Sequence, residues 1–325
     1  MDFRYVGNTS QLFDVRRYTF VGGKSDGTQA IDVWNGADLH VTLLPDRSLD
    51  IYSVRYKNHN MAFHTPSGVV APAFYSDYLS DWLRSFAGGF MVTCGLQKIG
   101  DGDPDDPSLP VHGRISNTPA ENLSVDLSDD GLSVTISGLM REAVLFGAKL
   151  TLKRSIRLHY GENAIYFNDT VTNQGFERQP LSMLYHFNMG YPLLSESAKV
   201  YIPAVKTVPR TAHAASDMNW GAIPSPISGF EEMVYYHFLS ENKIGIDNDA
   251  IDTSVRIEFD SPEGILDRAI QWRMFGCGDY VMGLEPASCT LESRADAIAN
   301  GSQKYIDGRS SIHNNFKISF GPAAK

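Results

Sequence analysis

Leu150-Thr-Leu-Lys-Arg-Ser-Ile-Arg-Leu-His-Tyr160, followed by Gly161-Glu-Asn163 and then Ala164-Ile-Tyr-Phe-Asn-Asp-Thr-Val171, is the stretch whose reading decides the fold class. Leu150, Leu152, Ile156, Leu158 and Tyr160 share one parity, and Ile165, Phe167 and Val171 resume the alternation beyond the turn. A period of two is that of an extended chain with one face on a core, whereas a helix would repeat its apolar residues every three or four positions. The stretch predicts a long hairpin.

The same alternation spreads outward. Leu39, Val41 and Leu43 precede Pro45-Asp-Arg-Ser48, and Leu49 and Ile51 follow it, so residues 38–56 predict a strand, a turn and a second strand. Val134 and Ile136 predict a short strand after the turn at Asp129-Asp-Gly131. Further alternating stretches lie at 200–205, 234–238, 255–259, 280–284 and 316–320, which brings the expectation to about a dozen strands. One helix is expected, over Ala73 to Phe86, with Asp77 or Asp81 as its cap. With no helices between the strands, the pattern predicts an all-β protein: a large antiparallel β-sandwich with few short helices, residues 1–325 forming a single domain. Gly100-Asp-Gly-Asp-Pro-Asp-Asp-Pro-Ser-Leu-Pro110 reads as a functional loop within that domain.

Composition agrees with a globular chain. The 325 residues are 42% hydrophobic and 20% charged, too apolar for disorder and too mixed for a fibrous protein. The net charge is -10 and no Lys/Arg block exceeds two residues, which argues against a nucleic-acid partner, since phosphate backbones demand clustered cations. The amino terminus has no apolar segment behind its charges, and no run approaches the roughly 18 apolar residues of a membrane-spanning helix. A cytoplasmic protein without a membrane partner is expected. Cys94, Cys277 and Cys289 are odd in number and lack a CxxC, so they read as reduced and mostly buried. In that compartment the sequons at Asn8, Asn122, Asn168 and Asn300 are uninformative.

Several local motifs fail on their chemistry. Gly22-Gly23-Lys24-Ser25 lacks the upstream glycine and the strand-to-helix context of a phosphate loop, and reads as a turn. Asp101, Asp103 and Asp105 have calcium-loop spacing, but Asp106 stands where the turn glycine belongs and His112 where a bidentate Glu belongs, so a solvated acidic loop is expected. No His-x-His or His-Glu-x-x-His occurs, and no metal site is expected.

What remains are polar groups set where the alternation predicts covered surface. His112 lies in Leu109-Pro-Val-His-Gly-Arg-Ile-Ser-Asn-Thr118, beside a glycine that permits close approach. His186 lies in the aromatic-rich Met183-Leu-Tyr-His-Phe-Asn-Met-Gly-Tyr-Pro192, and Glu285 ends the apolar run Tyr280-Val-Met-Gly-Leu284 just before Pro286. Burial there would raise the Glu285 carboxyl toward the range useful for proton transfer. Taken singly, each residue also fits a structural role.

Together these segments resemble the aldose 1-epimerase, or galactose mutarotase-like, superfamily, and look nearest to a less characterised branch of it. The resemblance runs from Arg47-Ser-Leu-Asp-Ile51 to Phe320. Trp82-Leu-Arg-Ser-Phe-Ala-Gly-Gly-Phe90 resembles the family's segment bearing a substrate-binding Arg, which implies that role for Arg84. Val111-His-Gly-Arg114 resembles its His-Gly motif and implies substrate binding by His112. Phe167-Asn-Asp-Thr-Val-Thr-Asn-Gln-Gly175 followed by Tyr185-His-Phe-Asn188 implies that His186 is catalytic, and Gly283-Leu-Glu-Pro286 implies the same for Glu285. The sequence departs from the family at the Asp that holds sugar hydroxyls between the second His and the Glu. His237 and Gln271-Trp272-Arg273 occupy that interval and are candidates for polar or stacking contacts instead. Arg114 and Asn188, carried in the matched segments, join the substrate-binding candidates.

The resemblance implies an aldose 1-epimerase-type isomerase acting on a small-molecule carbohydrate without metal or organic cofactor. Glu285 would be the general base, a protonated His186 the acid, and Trp82 or Trp272 a platform for the sugar. Two alternatives stand beside it: a sugar-phosphate 1-epimerase with Arg84, Arg114 and Arg273 as its cations, and a non-catalytic carbohydrate-binding protein. Glycosidic-bond cleavage or lyase chemistry is a third, and a homodimer is left open.

Overall fold

The quoted stretch folds as its parity dictates. Strands Lys149–His159 and Ala164–Asn173 pair antiparallel, with Leu150 opposite Asn173 at one end and Arg157 opposite Tyr166 at the other. This computed structural model describes residues 2–78, 80–103 and 106–323.

The hairpin belongs to an eight-stranded sheet. Its order runs Ala198–Tyr201, Lys243–Asn248, Thr253–Asp260, Ser311–Gly321, Ala164–Asn173, Lys149–His159, Ser133–Ala143, Glu121–Leu127. A twelve-stranded sheet faces it. The main path of that sheet is Asp14–Thr19, Gln29–Trp34, Leu39–Leu44, Asp50–Tyr56, Met91–Leu96, Gln179–Met189, Tyr280–Ala287, Arg268–Phe275, Met233–Leu239, Ala204–Pro209. Neighbouring strands in both sheets are antiparallel. The core lies between the sheets: Leu150, Leu152, Ile156 and Leu158 meet Ile51, Met183, Tyr185 and Phe187 from the other side. The Phe167 and Phe316 rings stack at 4.4 Å within it.

Arg154 shares the parity of Leu152 and Ile156, so it too points into the core, where it is fully buried. Its Nε and Nη2 donate to Asp169 at 2.8 and 2.6 Å, and its Nη1 donates to Asp50 at 2.8 Å and to the Ser48 carbonyl at 3.1 Å. Asp169 and Arg154 are on paired strands of the smaller sheet and Asp50 is on the larger, so one guanidinium ties the two layers together. Tyr185 donates to Asp169 at 2.8 Å, and Thr93 donates to Asp50 through its N–H at 3.0 Å and its hydroxyl at 2.6 Å. The buried carboxylates are thus hydrogen-bonded as well as paired, which burial of charge requires.

Three expectations need correction. The strands outnumber the dozen expected, because short edge strands such as His59–Asn60 carry too few residues to show a period. The strand at Val134 and Ile136 is not short but spans Ser133–Ala143. Among the described residues no helix covers 73–86: a 3₁₀ turn at Pro72–Phe74 and one helical turn at Trp82–Ser85 stand instead. Phe74, Tyr78 and Leu83 are exposed while Trp82 and Phe86 are buried, so the segment has no continuous apolar stripe to hold a longer helix. Asp81 accepts from Ser76 and Arg84 rather than capping.

The Gly22–Ser25 motif is a turn, with a 3₁₀ segment at Gly23–Ser25. Cys94 and Cys289 are buried and Cys277 is exposed, all three as free thiols. Among the described residues no helix is long and apolar enough to cross a membrane.

Candidate active site

Strand parity divides the larger sheet into two faces. On Gln179–Met189, Tyr185 and Phe187 point into the inter-sheet core while Leu184 and His186 point outward. On the neighbouring Tyr280–Ala287, Met282 and Leu284 point inward, leaving Glu285 and Ala287 outward. His186 and Glu285 therefore meet on the outer face, covered by the segments around Trp82 and His112. They line a cavity of about 280 Å³ with Trp82, Phe86, His112 and Trp272. That is at the small end of ligand pockets.

His186 Nε2 and Glu285 Oε1 are 3.4 Å apart, and both side chains are almost wholly buried. Neither His186 Nδ1 nor Glu285 Oε1 has a hydrogen-bond partner, although the ion-pair contact is present: the 3.4 Å approach lacks hydrogen-bond geometry. Buried polar groups left unmatched are uncommon, and here both atoms belong to the facing pair. Burial pushes the His186 imidazole down to about 4. Burial, with the Glu232 carboxylate nearby, pushes the Glu285 carboxyl well above its usual range. In the ligand-free site both shifts favour the neutral forms, because desolvation disfavours charge on either group; the expectation of a protonated His186 concerns the sugar-bound complex.

Two glycines make room for these groups. A Cβ on Gly283 would lie 2.0 Å from Glu285 Oε1 and 3.1 Å from the Trp272 Cβ, so the carboxylate's position requires a residue without a side chain two places before it. Gly113, at φ +71°, would bring a Cβ within 2.1 Å of the Gly95 carbonyl oxygen. It follows His112, itself at φ +54°, and together they turn the imidazole into the cavity. His112 Nδ1 accepts from the Gly100 N–H at 3.3 Å, which leaves Nε2–H as the donor of the neutral ring. Burial holds that ring well below its usual value, helped by His186, Lys98 and Arg210. His112 lies 5.5 Å from the His186 ring and 4.7 Å from Trp82, and Trp272 lies 5.4 Å from His186. The floor is thus acid and base, with aromatic walls on two sides.

Of the residues singled out in the sequence, His112, His186, Trp272 and Glu285 converge here and Trp82 joins them. The others do not. Arg84 is exposed and ion-paired with Asp81 at 3.2 Å, because the single turn Trp82–Ser85 buries Trp82 and sends Arg84 outward. Arg114 pairs with Asp77 at 2.7 Å and lines a separate cavity with Gln97, Ser108 and Glu142. That cavity is larger, about 360 Å³, and its lining includes neither His186 nor Glu285. His237 and Arg273 lie on the opposite face of their strands from Val234 and Trp272. His237 bonds Thr207 and Gln271, and Arg273 bonds Asp217 and the Ala222 carbonyl. Asn188 is buried, donating to the Gly89 and His186 carbonyls.

The acidic loop departs from a merely solvated one. Asp101 pairs with Arg210, and Asp103 is buried with its Oδ2 accepting the Arg294 N–H at 2.9 Å. Asp105 lies outside the described residues. Arg210 and Glu232 also line the cavity and were not anticipated. Glu232 accepts from Trp272 Nε1 at 2.7 Å. Its signal was the acidic pair Glu231-Glu232 abutting the apolar Met233-Val-Tyr-Tyr236, within the interval that lacked a carboxylate counterpart.

Comparison with solved structures agrees with this architecture. The chain superposes on a Klebsiella pneumoniae protein provisionally named an aldose 1-epimerase, with a TM-score of 0.90 and 25% identity over 97% of this chain and 87% of that one. It also matches a galactose mutarotase-like protein of Clostridium acetobutylicum, with a TM-score of 0.67 and 14% identity over 96% and 99% of the two chains. For galactose 1-epimerase of Lactobacillus acidophilus the TM-score is 0.64 and the identity 12%, over 96% and 100%. These likenesses establish the galactose mutarotase-like fold. Among curated proteins no sequence matches. Residues 25–320 match one family profile across most of the fold just described, and the chain accordingly belongs to the family described as a domain of unknown function, DUF4432.

Proposed function

We propose that the protein interconverts the anomers of a free aldose, as an aldose 1-epimerase-type enzyme. The observation that carries this reading is the 3.4 Å approach of His186 Nε2 to Glu285 Oε1 at the floor of a cavity walled by Trp82 and Trp272. Anomer exchange needs one base and one acid acting together. The anomeric hydroxyl gives its proton to Glu285, the bond from C1 to the ring oxygen breaks with its electron pair on that oxygen, and the oxygen takes a proton from His186. Rotation about C1–C2 and reversal of both transfers close the other anomer. The pair needs one proton in total. A sugar whose anomeric hydroxyl donates to Glu285 and whose ring oxygen accepts from His186 moves that proton from Glu285 to His186, since hydrogen bonds to the charged forms favour them.

His112 would donate to a sugar hydroxyl through Nε2–H, Glu232 would accept from one, and the tryptophan faces would cover the apolar side of the ring. A purely binding protein has no use for adjoining acid and base groups kept without other partners. The reading carries with it a cytoplasmic location, a carbohydrate as the small-molecule partner, and no cofactor.

Glu285→Gln removes the base while nearly preserving shape. Anomer exchange followed by polarimetry should fall by about 10²- to 10⁴-fold, the range for one acid or base. Near-normal exchange in a folded Glu285→Gln protein would overturn the assignment.

A further inference from the structure

The arginine at the cavity mouth is already engaged. Arg210 follows strand Ala204–Pro209, its backbone N–H donates to the Val234 carbonyl at 2.9 Å, and its side chain is 15% exposed. Nη2 binds Asp101, and Nε donates to Glu292 Oε1 at 3.3 Å. Glu292 Oε1 also accepts from the Tyr236 hydroxyl at 2.7 Å, which fixes that half of the clamp. The other nearby cation, Lys98, is buried with its ammonium donating to the carbonyls of Ile99 at 2.7 Å and Leu291 at 3.3 Å. Glu232 and Glu285 meanwhile add carboxyl groups to the same lining, and Arg84, Arg114 and Arg273 lie outside it.

Resting on the epimerase reading, we propose that Arg210, clamped between Asp101 and Glu292, is the specificity-determining residue of the mouth, and that the clamp turns the site against anionic sugars. A phosphoryl or carboxylate group entering the mouth meets a guanidinium whose charge is already countered by Asp101 and Glu292, so it either sits beside their charges or displaces one of them. A neutral sugar meets no such penalty and can accept hydrogen bonds from the clamp without breaking it. The same arginine that would make a phosphate site in another setting is here a neutralised wall.

Binding tests this independently of turnover. Glucose and glucose 6-phosphate are titrated into the wild-type protein and followed by the fluorescence of Trp82 and Trp272 and by calorimetry, at low and high salt. The 6-phosphate should bind at least about tenfold more weakly at low salt, and the gap should narrow as salt screens the mouth. Asp101 is 73% exposed, so Asp101→Asn threatens the fold little. That variant should reduce the discrimination by about tenfold, roughly one screened charge contact. Equal or tighter binding of the 6-phosphate by the wild type overturns the inference and leaves the epimerase reading standing, as does discrimination indifferent to both salt and Asp101→Asn. Selective binding of glucose without anomer exchange overturns the epimerase reading and leaves the inference. Binding of neither sugar overturns both.

Discussion

Replacing Arg154 by methionine tests whether the guanidinium between the sheets is the tie that it looks to be. Removing one partner of a buried ion pair costs about 3–5 kcal/mol, because the remaining charge stays buried without compensation. Here two carboxylates are stranded, which pushes toward the upper end. Asp50 keeps two donors from Thr93 and Asp169 keeps the Tyr185 hydroxyl, which pulls it back. We expect a loss of about 4 kcal/mol, a large part of the roughly 5–15 kcal/mol typical of a folded domain. At about 2.1 cal/mol/K per residue over 325 residues, the unfolding entropy is about 0.7 kcal/mol/K, so Tm should drop by about 6 °C. Circular dichroism on heating, with urea titration beside it, measures both quantities. The variant should also change its response to pH. Burial pushes the Asp50 carboxyl up while Arg154 opposes that rise, so without Arg154 it rises further. A carboxyl that holds its proton more tightly when folded makes the protein lose stability as pH rises above the unfolded value of about 3.9. The deficit of Arg154→Met should accordingly be greater at pH 7 than at pH 5. A Tm within about 2 °C of wild type at both pH values would refute the reasoning.

Other outcomes follow from the site. Because burial lowers His186 to about 4 and raises Glu285, the singly protonated pair should persist across neutral pH. It is lost below about pH 4 as His186 gains a second proton, and lost at high pH as Glu285 gives up its own; polarimetric kcat/KM should show no inflection near 6.5, and one there would place the critical histidine in a solvated setting. Gly283→Ala puts a Cβ where the Glu285 carboxylate now lies, so kcat should fall by about 10²-fold through misplacement of the base. Its melting temperature should stay near wild type, since the displaced atoms end a flexible side chain, and unchanged kcat would show that the carboxylate does not act from this position.

The hairpin at 150–171 and the all-β class were legible because each rests on information local to a strand. Alternation says which neighbours share a face, and Arg154 could have been read the same way, set as it is between Leu152 and Ile156 on the core parity. Residue order along the chain matched His112, His186 and Glu285 to a known arrangement, and they meet in the cavity. The placement of the arginines was not legible. Arg84, Arg114 and Arg273 looked like a cluster of cations, yet each is held by its own nearby acid, and among the described residues Arg210 is the arginine that lines the cavity. Arg210 meets Asp101 across 109 residues of sequence, a contact made when the strand Ala204–Pro209 at the end of the sheet's path comes beside the loop after Met91–Leu96.

By itself, then, the sequence determined which residues alternate and hence that sheets would form around a buried layer, since that follows from the two-residue period of an extended chain. Only the tertiary structure decided which face of the larger sheet became the site. The smaller sheet covers the face of Tyr185 and Leu284, and the opposite parity, with His186, Glu285 and Trp272, is left to line a cavity. Parity divides residues into two sets, but which set is packed and which is open depends on the partner layer, and that layer is brought there by strands distant in sequence.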